Sequence, residues 1–245
     1  MTAFTDDPVL TEVTAATDRL LVSMRGLADS QVAHASRCAG WTRGHVATHV
    51  ARNADGLINL LSWAATGVEI PMYPSREVRD AQIEAGAART SSDLQADVDS
   101  SAERFLGACA ELPEPALDAV VRLGSGRELV ARDIPWMRLR EVEIHHVDLD
   151  AGYDFSSTPA WVLVRIIGDT AASFAARAAG GGPSLEVRVV ASDLDEGSRE
   201  WIFGDAPAVS VHGRTADLLA WLTGRGSTSA LQATGGSLPS VPAWA

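Results

Sequence analysis

The spacing of apolar residues predicts that the first half of the chain is helical. Apolar positions recur there every three or four residues, which places them on one face of an α-helix. Thr42 and Gly67 bracket the clearest of these segments, as an N-cap and a C-terminal glycine do. Four principal helices, a shorter helix and a hairpin predict a helical bundle. The predicted helices cover residues 7–27, 40–67, 75–87, 91–112 and the run from Ile134 onward, and the hairpin covers residues 118–131.

The pattern changes after residue 152, where short strand-like segments follow a capped apolar helix. Runs rich in β-branched and aromatic residues alternate with turn residues, which is typical of a small sheet. We therefore predict an α+β protein, with an N-terminal four-helix bundle over residues 1–152 and a smaller α+β domain over residues 153–245. The later elements are helices at 156–183 and 215–224 and strands at 185–191, 199–203 and 208–213.

Composition narrows the range of functions. The chain has 245 residues, of which 46% are apolar and 21% charged, as in ordinary soluble proteins. A net charge of −12 without a basic run argues against a nucleic-acid partner. No apolar run approaches the roughly 20 residues of a membrane span, and the acidic N-terminus is unlike a signal peptide, so we expect a cytoplasmic protein. Cys38 and Cys109 are far apart, in no metal or redox spacing, and we expect no chemical role for them.

Six acidic or histidine residues are crowded into the segment REVEIHHVDLDAG, residues 140–152. At about 100° per residue, Glu141, His145 and Asp148 share one helix face with isoleucine and methionine, whereas Glu143 points to the opposite side. A solvated acidic face would not interleave apolar residues with its charges. Because burying Glu and His without partners costs several kcal/mol, a shared partner is the economical explanation. A Glu and a His at positions i and i+4 can both reach one metal ion.

The helix over residues 40–67 offers a third ligand. His49 lies at the edge of its apolar stripe and Asn53 lies within it, whereas His45 falls toward solvent. Two histidines and one carboxylate leave one position open on a tetrahedral zinc, as in catalytic sites, although the same set also suits non-haem iron. Asp148 and Asn53 would then orient the imidazoles. His146 points about 100° away from the metal-facing arc and is not expected to bind.

Four segments resemble the mycothiol-dependent maleylpyruvate isomerases: GWTRGHVATHVARNA, PMYPSREVRDAQIEAG, WMRLREVEIHHVDL and GRGS. The likeness extends in order over essentially the whole chain. The helical half also resembles the wider DinB-like superfamily of metal-binding four-helix bundles. The resemblance implies that the metal is zinc, one per chain, and that His49, Glu141 and His145 are its ligands. Glu143 and the second histidine of the doubled pair depart from the family pattern without disturbing those ligands.

The resemblance also implies a reaction, the cis–trans isomerisation of maleylpyruvate to fumarylpyruvate in aromatic-acid degradation, such as gentisate breakdown. A thiolate adds to the conjugated double bond, the resulting single bond rotates, and elimination releases the trans product. Because neither cysteine falls in a ligand-bearing motif, mycothiol would supply the thiol. Arg225 would hold a substrate carboxylate, although TGRG by itself is typical of a helix cap. Tyr73 is a further candidate for the cofactor pocket.

Two other functions remain open at the level of sequence. A mycothiol S-transferase would use the same zinc-bound thiolate against another electrophile. A non-catalytic metal-binding stress protein would need neither the open metal position nor Arg225. The expected partners are therefore small molecules, maleylpyruvate and mycothiol, and the oligomeric state stays open.

Overall fold

A computed structural model describes residues 4, 6–124, 126–194 and 197–243. The predicted hairpin turn includes Ser125, which lies outside these residues, as do residues 1–3 and 5. By its internal contacts the chain divides into two units, Met1–Tyr153 and Asp154–Ala245. The first is helical and the second combines helices with a sheet, so the predicted α+β fold is confirmed.

Four long helices form the first unit. Helices α1 and α3 each pack against both α5 and α6, which closes a four-helix bundle around a core of leucine, valine and phenylalanine side chains. The short helix α2 was not predicted, and α4 packs against α3 outside the ring. The described helices of this unit are α1 (Pro8–Arg25), α2 (Asp29–Val32), α3 (Arg43–Thr66), α4 (Arg76–Ala87), α5 (Ser91–Glu111) and α6 (Ile134–Asp148).

Local sequence signals set the ends of α3. The Thr42 side chain accepts a hydrogen bond from the backbone N–H of His45, which satisfies one of the unpaired donors of the first turn. At the other end, Gly67 adopts a left-handed conformation with φ of 71°, and its N–H bonds to the Trp63 carbonyl. Both predicted caps are confirmed.

Two glycines let α4 approach α3 closely. A methyl group at Gly44 would lie 2.1 Å from the carbonyl oxygen of Ala87, and one at Gly86 would lie 2.4 Å from the Thr48 side chain. Neither position therefore accommodates a larger residue without moving the backbone or its neighbour. This close packing holds α4 against the part of α3 that carries His49.

Helix α6 is buried on nearly all sides because it packs against both α1 and α3. The angular position predicted for Glu143, opposite the metal-facing arc, therefore leads into protein rather than to an open surface. Its side chain is 1% exposed and accepts hydrogen bonds from Arg19 of α1, at 2.6 Å, and from the Tyr153 hydroxyl, at 2.7 Å. Glu143 therefore takes part in a buried ionic contact between α1 and α6.

The hairpin predicted before α6 is confirmed, with β1 (Val120–Arg122) antiparallel to β2 (Glu128–Val130). The second unit contains a four-stranded mixed sheet in the order β4-β3-β5-β6, with β3 and β5 parallel and both edge pairs antiparallel. Its elements are α7 (Ala160–Ala179), β3 (Val187–Ala191), β4 (Arg199–Phe203), β5 (Ser210–Gly213), α8 (Thr215–Leu222) and β6 (Gln232–Thr234).

Strand β6 was not predicted from the sequence. Its three residues, Gln232–Thr234, are largely exposed and carry no apolar alternation, so only their pairing with β5 makes them a strand. In the described part of the chain, no helix has the length and hydropathy needed to cross a bilayer.

Candidate metal centre

Three side chains converge between α3 and α6. His49 Nε2 lies 3.2 Å from Glu141 Oε2, and His145 Nε2 lies 3.5 Å from the same oxygen. The two imidazole rings meet edge to face, with centroids 4.5 Å apart. Glu141 and His145 are one helical turn apart on α6, so their side chains leave the helix on the same side. The structure therefore brings together the three residues that the sequence identified as metal ligands.

Hydrogen bonding keeps the carboxylate of this cluster ionised. Burial alone would raise the pKa of Glu141, but hydrogen bonds from His145 and His49 hold it well below its usual value. Burial, reinforced by the neighbouring His145, lowers the pKa of His49 to about 4. Burial would also lower the pKa of His145, but its bonds to Asp148, Cys38 and Glu141 raise it well above the usual value. The cluster thus contains an ionised carboxylate and a neutral His49 at pH 7.

Asp148 orients one of the two histidines. Its Oδ2 atom lies 2.9 Å from His145 Nδ1, and its side chain is 1% exposed. Because Nδ1 donates to this carboxylate, Nε2 is directed at Glu141, and a metal that replaces the Nε2 proton would bind there. The role predicted for Asp148, fixing an imidazole, matches this contact.

The thiol of Cys38 lies close to the ligands, although we expected no chemical role for it from the sequence. With His145 and Asp148 it forms a second group of potential ligand atoms, all within 4.8 Å of one another. Cys38 belongs to the irregular segment before α3, where no periodic pattern fixes the direction of a side chain. Cys109, in contrast, is fully buried on α5, and burial raises its pKa to about 12.

Helix α4 and the loop before it contribute a cation and two aromatic rings. Arg79 Nη2 lies 3.2 Å from His49 Nδ1, and its guanidinium carbon lies 6.0 Å from the Trp41 ring centroid and 5.8 Å from that of Tyr73. Tyr73 is half-buried, and burial raises the pKa of its hydroxyl to about 12. Tyr73 therefore borders the cluster through Arg79. Sequence analysis did not identify Arg79, although it lies within a segment that carries the family resemblance.

Asn53 does not orient an imidazole, contrary to our expectation. One helical turn beyond His49, its Oδ1 accepts a hydrogen bond from Arg138 Nη1 at 3.0 Å, and the same nitrogen donates to the Val50 carbonyl at 2.7 Å. Arg138 is 0% exposed. Asn53 thus helps to bind a buried guanidinium that joins α6 to α3 one turn below the metal ligands.

The remaining histidines of the two ligand-bearing helices point away from the cluster, as the helical phases predict. His45 Nδ1 lies 2.8 Å from the Thr42 hydroxyl, and its Nε2 lies 3.0 Å from Glu84. His146 Nε2 lies 2.7 Å from the Ser23 hydroxyl, and its ring stacks on Tyr153 with centroids 3.6 Å apart. His146 is buried rather than exposed, because α1 covers that side of α6.

Arg225 belongs to the second unit and follows α8 in a glycine-based cap. Gly224 has φ of 71°, its N–H bonds to the Trp221 carbonyl, and the Arg225 N–H bonds to the Ala220 carbonyl. This pair of bonds is a Schellman motif, so the TGRG segment does cap a helix. The guanidinium Nη1 donates to the Thr223 carbonyl at 2.9 Å. The cap fixes the backbone of Arg225 and is compatible with a binding role for its side chain.

The donor set of the cluster fits a divalent metal ion. The nearest nitrogen and oxygen atoms of His49, Glu141 and His145 all lie within 4.8 Å of one another. Two ligand atoms at the usual zinc distances from one tetrahedral ion are roughly 3.3 Å apart, close to the measured 3.2 and 3.5 Å. An ionised carboxylate and imidazole nitrogens suit zinc chemically, and three protein ligands would leave one position for a further group.

The fold and the site together define a four-helix-bundle protein whose histidine and glutamate cluster could hold a metal ion. The family described as "Mycothiol maleylpyruvate isomerase N-terminal domain" matches residues 13–150. Two solved structures are similar over 100% of both chains, each with a TM-score of 0.83: a mycothiol-dependent maleylpyruvate isomerase at 31% sequence identity and a histidine-to-alanine mutant of such an enzyme at 30%. A search of curated proteins gives no significant match. The chain belongs to the mycothiol-dependent maleylpyruvate isomerase family, which confirms the resemblance found in the sequence.

Proposed function

We propose that this protein catalyses the mycothiol-dependent isomerisation of maleylpyruvate to fumarylpyruvate, with zinc bound by His49, Glu141 and His145. The proposal rests on the convergence of these three ligand atoms in a chain that is similar, over its full length, to a mycothiol-dependent maleylpyruvate isomerase. This similarity makes maleylpyruvate isomerisation the simplest expectation for the present chain. The spacing of the three ligand atoms supports a metal ion as a component of the active site.

The protein's side chains would hold the reactants in a defined arrangement. A zinc ion at this site would keep the mycothiol sulfur ionised as a thiolate at neutral pH. Asp148 fixes the ring of His145 through Nδ1, so that Nε2 faces the centre of the cluster. Glu141 stays ionised without an external base, because its pKa is held well below the usual value. The ring of Trp41 lies beside that of His49, with centroids 5.5 Å apart.

The reaction itself needs no oxidant or reductant. When bound, mycothiol would supply a thiolate that adds reversibly to the conjugated double bond, so that the resulting single bond can rotate before elimination restores the double bond in the trans geometry and returns the thiolate. The protein contributes by binding and orientation, which intramolecular models show to be worth several orders of magnitude in rate.

We propose that Arg225 binds a carboxylate of the substrate. The family resemblance and the planar, bidentate donor geometry of a guanidinium support this role. Arg225→Ala should keep zinc and fold but lose about 100-fold or more in kcat/KM, because a charged hydrogen bond is lost from a desolvated site. Arg225→Lys should recover only part of the loss. Wild-type turnover by Arg225→Ala would reduce the TGRG segment to its capping role.

The proposed function is tested by following maleylpyruvate consumption by ultraviolet absorbance, with and without mycothiol. Turnover should require mycothiol, and the purified protein should contain about one zinc per chain by elemental analysis. His49→Ala, Glu141→Ala and His145→Ala should each lose most of the zinc and the activity. His45→Ala, on the same helix as His49, is the matched control and should retain both.

Two results would contradict the proposal. Isomerisation without any added thiol would exclude the mechanism, and zinc retention by all three ligand variants would exclude the site. Mycothiol-dependent consumption of another electrophile, without isomerisation, would instead favour the S-transferase.

A further inference from the structure

Arg79 lies beside the candidate metal ligand His49 and has no part in the proposed reaction as described above. Its Nη2 lies 3.2 Å from His49 Nδ1, on the side of the ring opposite the Nε2 that faces Glu141. Its other terminal nitrogen lies 2.7 Å from Asp80, a carboxylate that is 52% exposed. The guanidinium also lies against the rings of Trp41 and Tyr73. A cation thus lies near two aromatic rings and directly beside a candidate metal ligand.

The contact with His49 is not compatible with a metal at Nε2. In the structure, Nδ1 accepts from Arg79, so the single proton of the neutral imidazole lies on Nε2 and faces Glu141. When a metal takes the lone pair of Nε2, that proton lies on Nδ1, and two donors then face each other. The Nη2 group of Arg79 would therefore need another acceptor in the metal-loaded protein. Asp80 is exposed, and an exposed ion pair of this kind contributes little.

The substrate of the proposed function can supply that acceptor. Maleylpyruvate carries two carboxylates, and Arg225 would account for one. Arg138, a further cation near the ligands, is 0% exposed and already donates to Val50 and Asn53. The side chain of Arg79 is 25% exposed, so a ligand can reach it. A guanidinium is planar and holds its N–H donors in a fixed fork, which suits bidentate binding of a carboxylate.

We propose that Arg79 is a carboxylate-binding residue of this site, which exchanges its contact with His49 for a substrate carboxylate when the metal is bound. The inference rests on the proposed function for the identity of the substrate. The anion site itself rests on the contacts of Arg79 with His49, Trp41 and Tyr73. The competing explanation is that Arg79 only positions the His49 ring, in which case its removal would weaken metal binding rather than anion binding.

The test compares Arg79→Gln and Arg79→Lys with wild type in the zinc-loaded, full-length protein. Maleate, a small cis-dicarboxylate, serves as the probe and is titrated by calorimetry, so that binding is measured without turnover. Arg79→Gln should keep about one zinc per chain and raise the Kd for maleate by about 10- to 100-fold, the range for loss of a charged hydrogen bond. The Kd of Arg79→Lys for maleate should lie between those of wild type and Arg79→Gln, because the point charge of lysine cannot bind a carboxylate in a bidentate way.

Arg76→Gln is the matched control, since it removes the same charge from the same helix at a side chain that is 87% exposed. Its Kd for maleate should equal that of wild type within about twofold. Equal maleate affinity in Arg79→Gln and wild type, absence of maleate binding by wild type, or loss of zinc in Arg79→Gln comparable to that in His49→Ala would each overturn the proposal.

The two proposals can fail separately. Maleate binding that depends on Arg79, in a protein that does not isomerise maleylpyruvate, would leave the anion site and remove the proposed function. Isomerase activity with an unchanged KM in Arg79→Gln would leave the proposed function and remove the anion site.

Discussion

Replacement of Asp148 by Asn should weaken zinc binding without removing the site. The buried carboxylate of Asp148 lies 2.9 Å from His145 Nδ1 and is 1% exposed. Asn keeps the size of the side chain and one acceptor oxygen but removes the negative charge. The His145 ring can then stay in place, but the carboxylate that makes it a better metal ligand is lost.

The expected magnitude follows from the kind of hydrogen bond involved. A bond between imidazole and carboxylate is roughly twice as strong as its neutral counterpart. Loss of such a supporting contact typically costs a metal site 10- to 100-fold in affinity, or about 1.4–2.7 kcal/mol. Asp148→Ala removes the acceptor as well as the charge, so it should lie at the upper end of this range or beyond it.

The assay is competition between the protein and a chromophoric zinc chelator at fixed pH and ionic strength. Asp150→Asn is a matched control, because the same chemical change is made two residues further on. Asp150 contacts Arg37 and Arg43, is 47% exposed, and has a φ of 53° that Asn tolerates well. The zinc affinity of Asp150→Asn should equal that of wild type.

An unchanged zinc affinity in both Asp148→Asn and Asp148→Ala would refute this reasoning. It would mean that the ring of His145 is held by its packing alone, or that His145 is not a ligand. The zinc content of His145→Ala separates these two cases.

Three further predictions follow from the contacts of the site. Cys38→Ser should keep zinc and mycothiol-dependent turnover, measured by the ultraviolet assay, because the reacting thiol is supplied from outside; loss of turnover with zinc retained would make Cys38 the nucleophile. Asn53→Ala should lower the free energy of unfolding by about 1–3 kcal/mol in urea titrations, because a buried donor of Arg138 loses its acceptor, while leaving zinc affinity unchanged. Burial lowers the pKa of His146 to about 3. The stability that neutral His146 contributes is therefore complete above about pH 6.5 and is lost as the pH falls toward 3. The free energy of unfolding then decreases by at most about 1.4 kcal/mol per pH unit. Urea unfolding of the metal-free protein at pH 7, 6 and 5 should therefore show a steeper loss in wild type than in His146→Gln, and equal slopes would contradict this assignment.

The sequence by itself determined the helices and the direction of the ligands along each of them. Apolar periodicity and capping residues such as Thr42 and Gly67 are local signals, and the helices begin and end where they indicate. The four-residue spacing of Glu141 and His145 places both on one side of α6 whatever surrounds the helix. Angular position also separated His49 from His45, which points instead to Thr42 and Glu84.

Only the tertiary structure decided what each of these side chains meets. Helical phase gives the direction of Glu143 but not the presence of α1, whose Arg19 forms an ion pair with its buried carboxylate. In the same way, Asn53 points along the predicted stripe yet meets Arg138 rather than a histidine. Strand β6 exists only through its hydrogen bonds to β5.

The closest neighbours of the ligands also come from packing between distant segments. Cys38 reaches His145 from an irregular segment that has no periodic pattern, and Arg79 reaches His49 because Gly44 and Gly86 let α4 lie close against α3. Local sequence carries the direction of a side chain relative to its own helix. It does not carry the distance to another helix, because that distance depends on how closely the two surfaces pack.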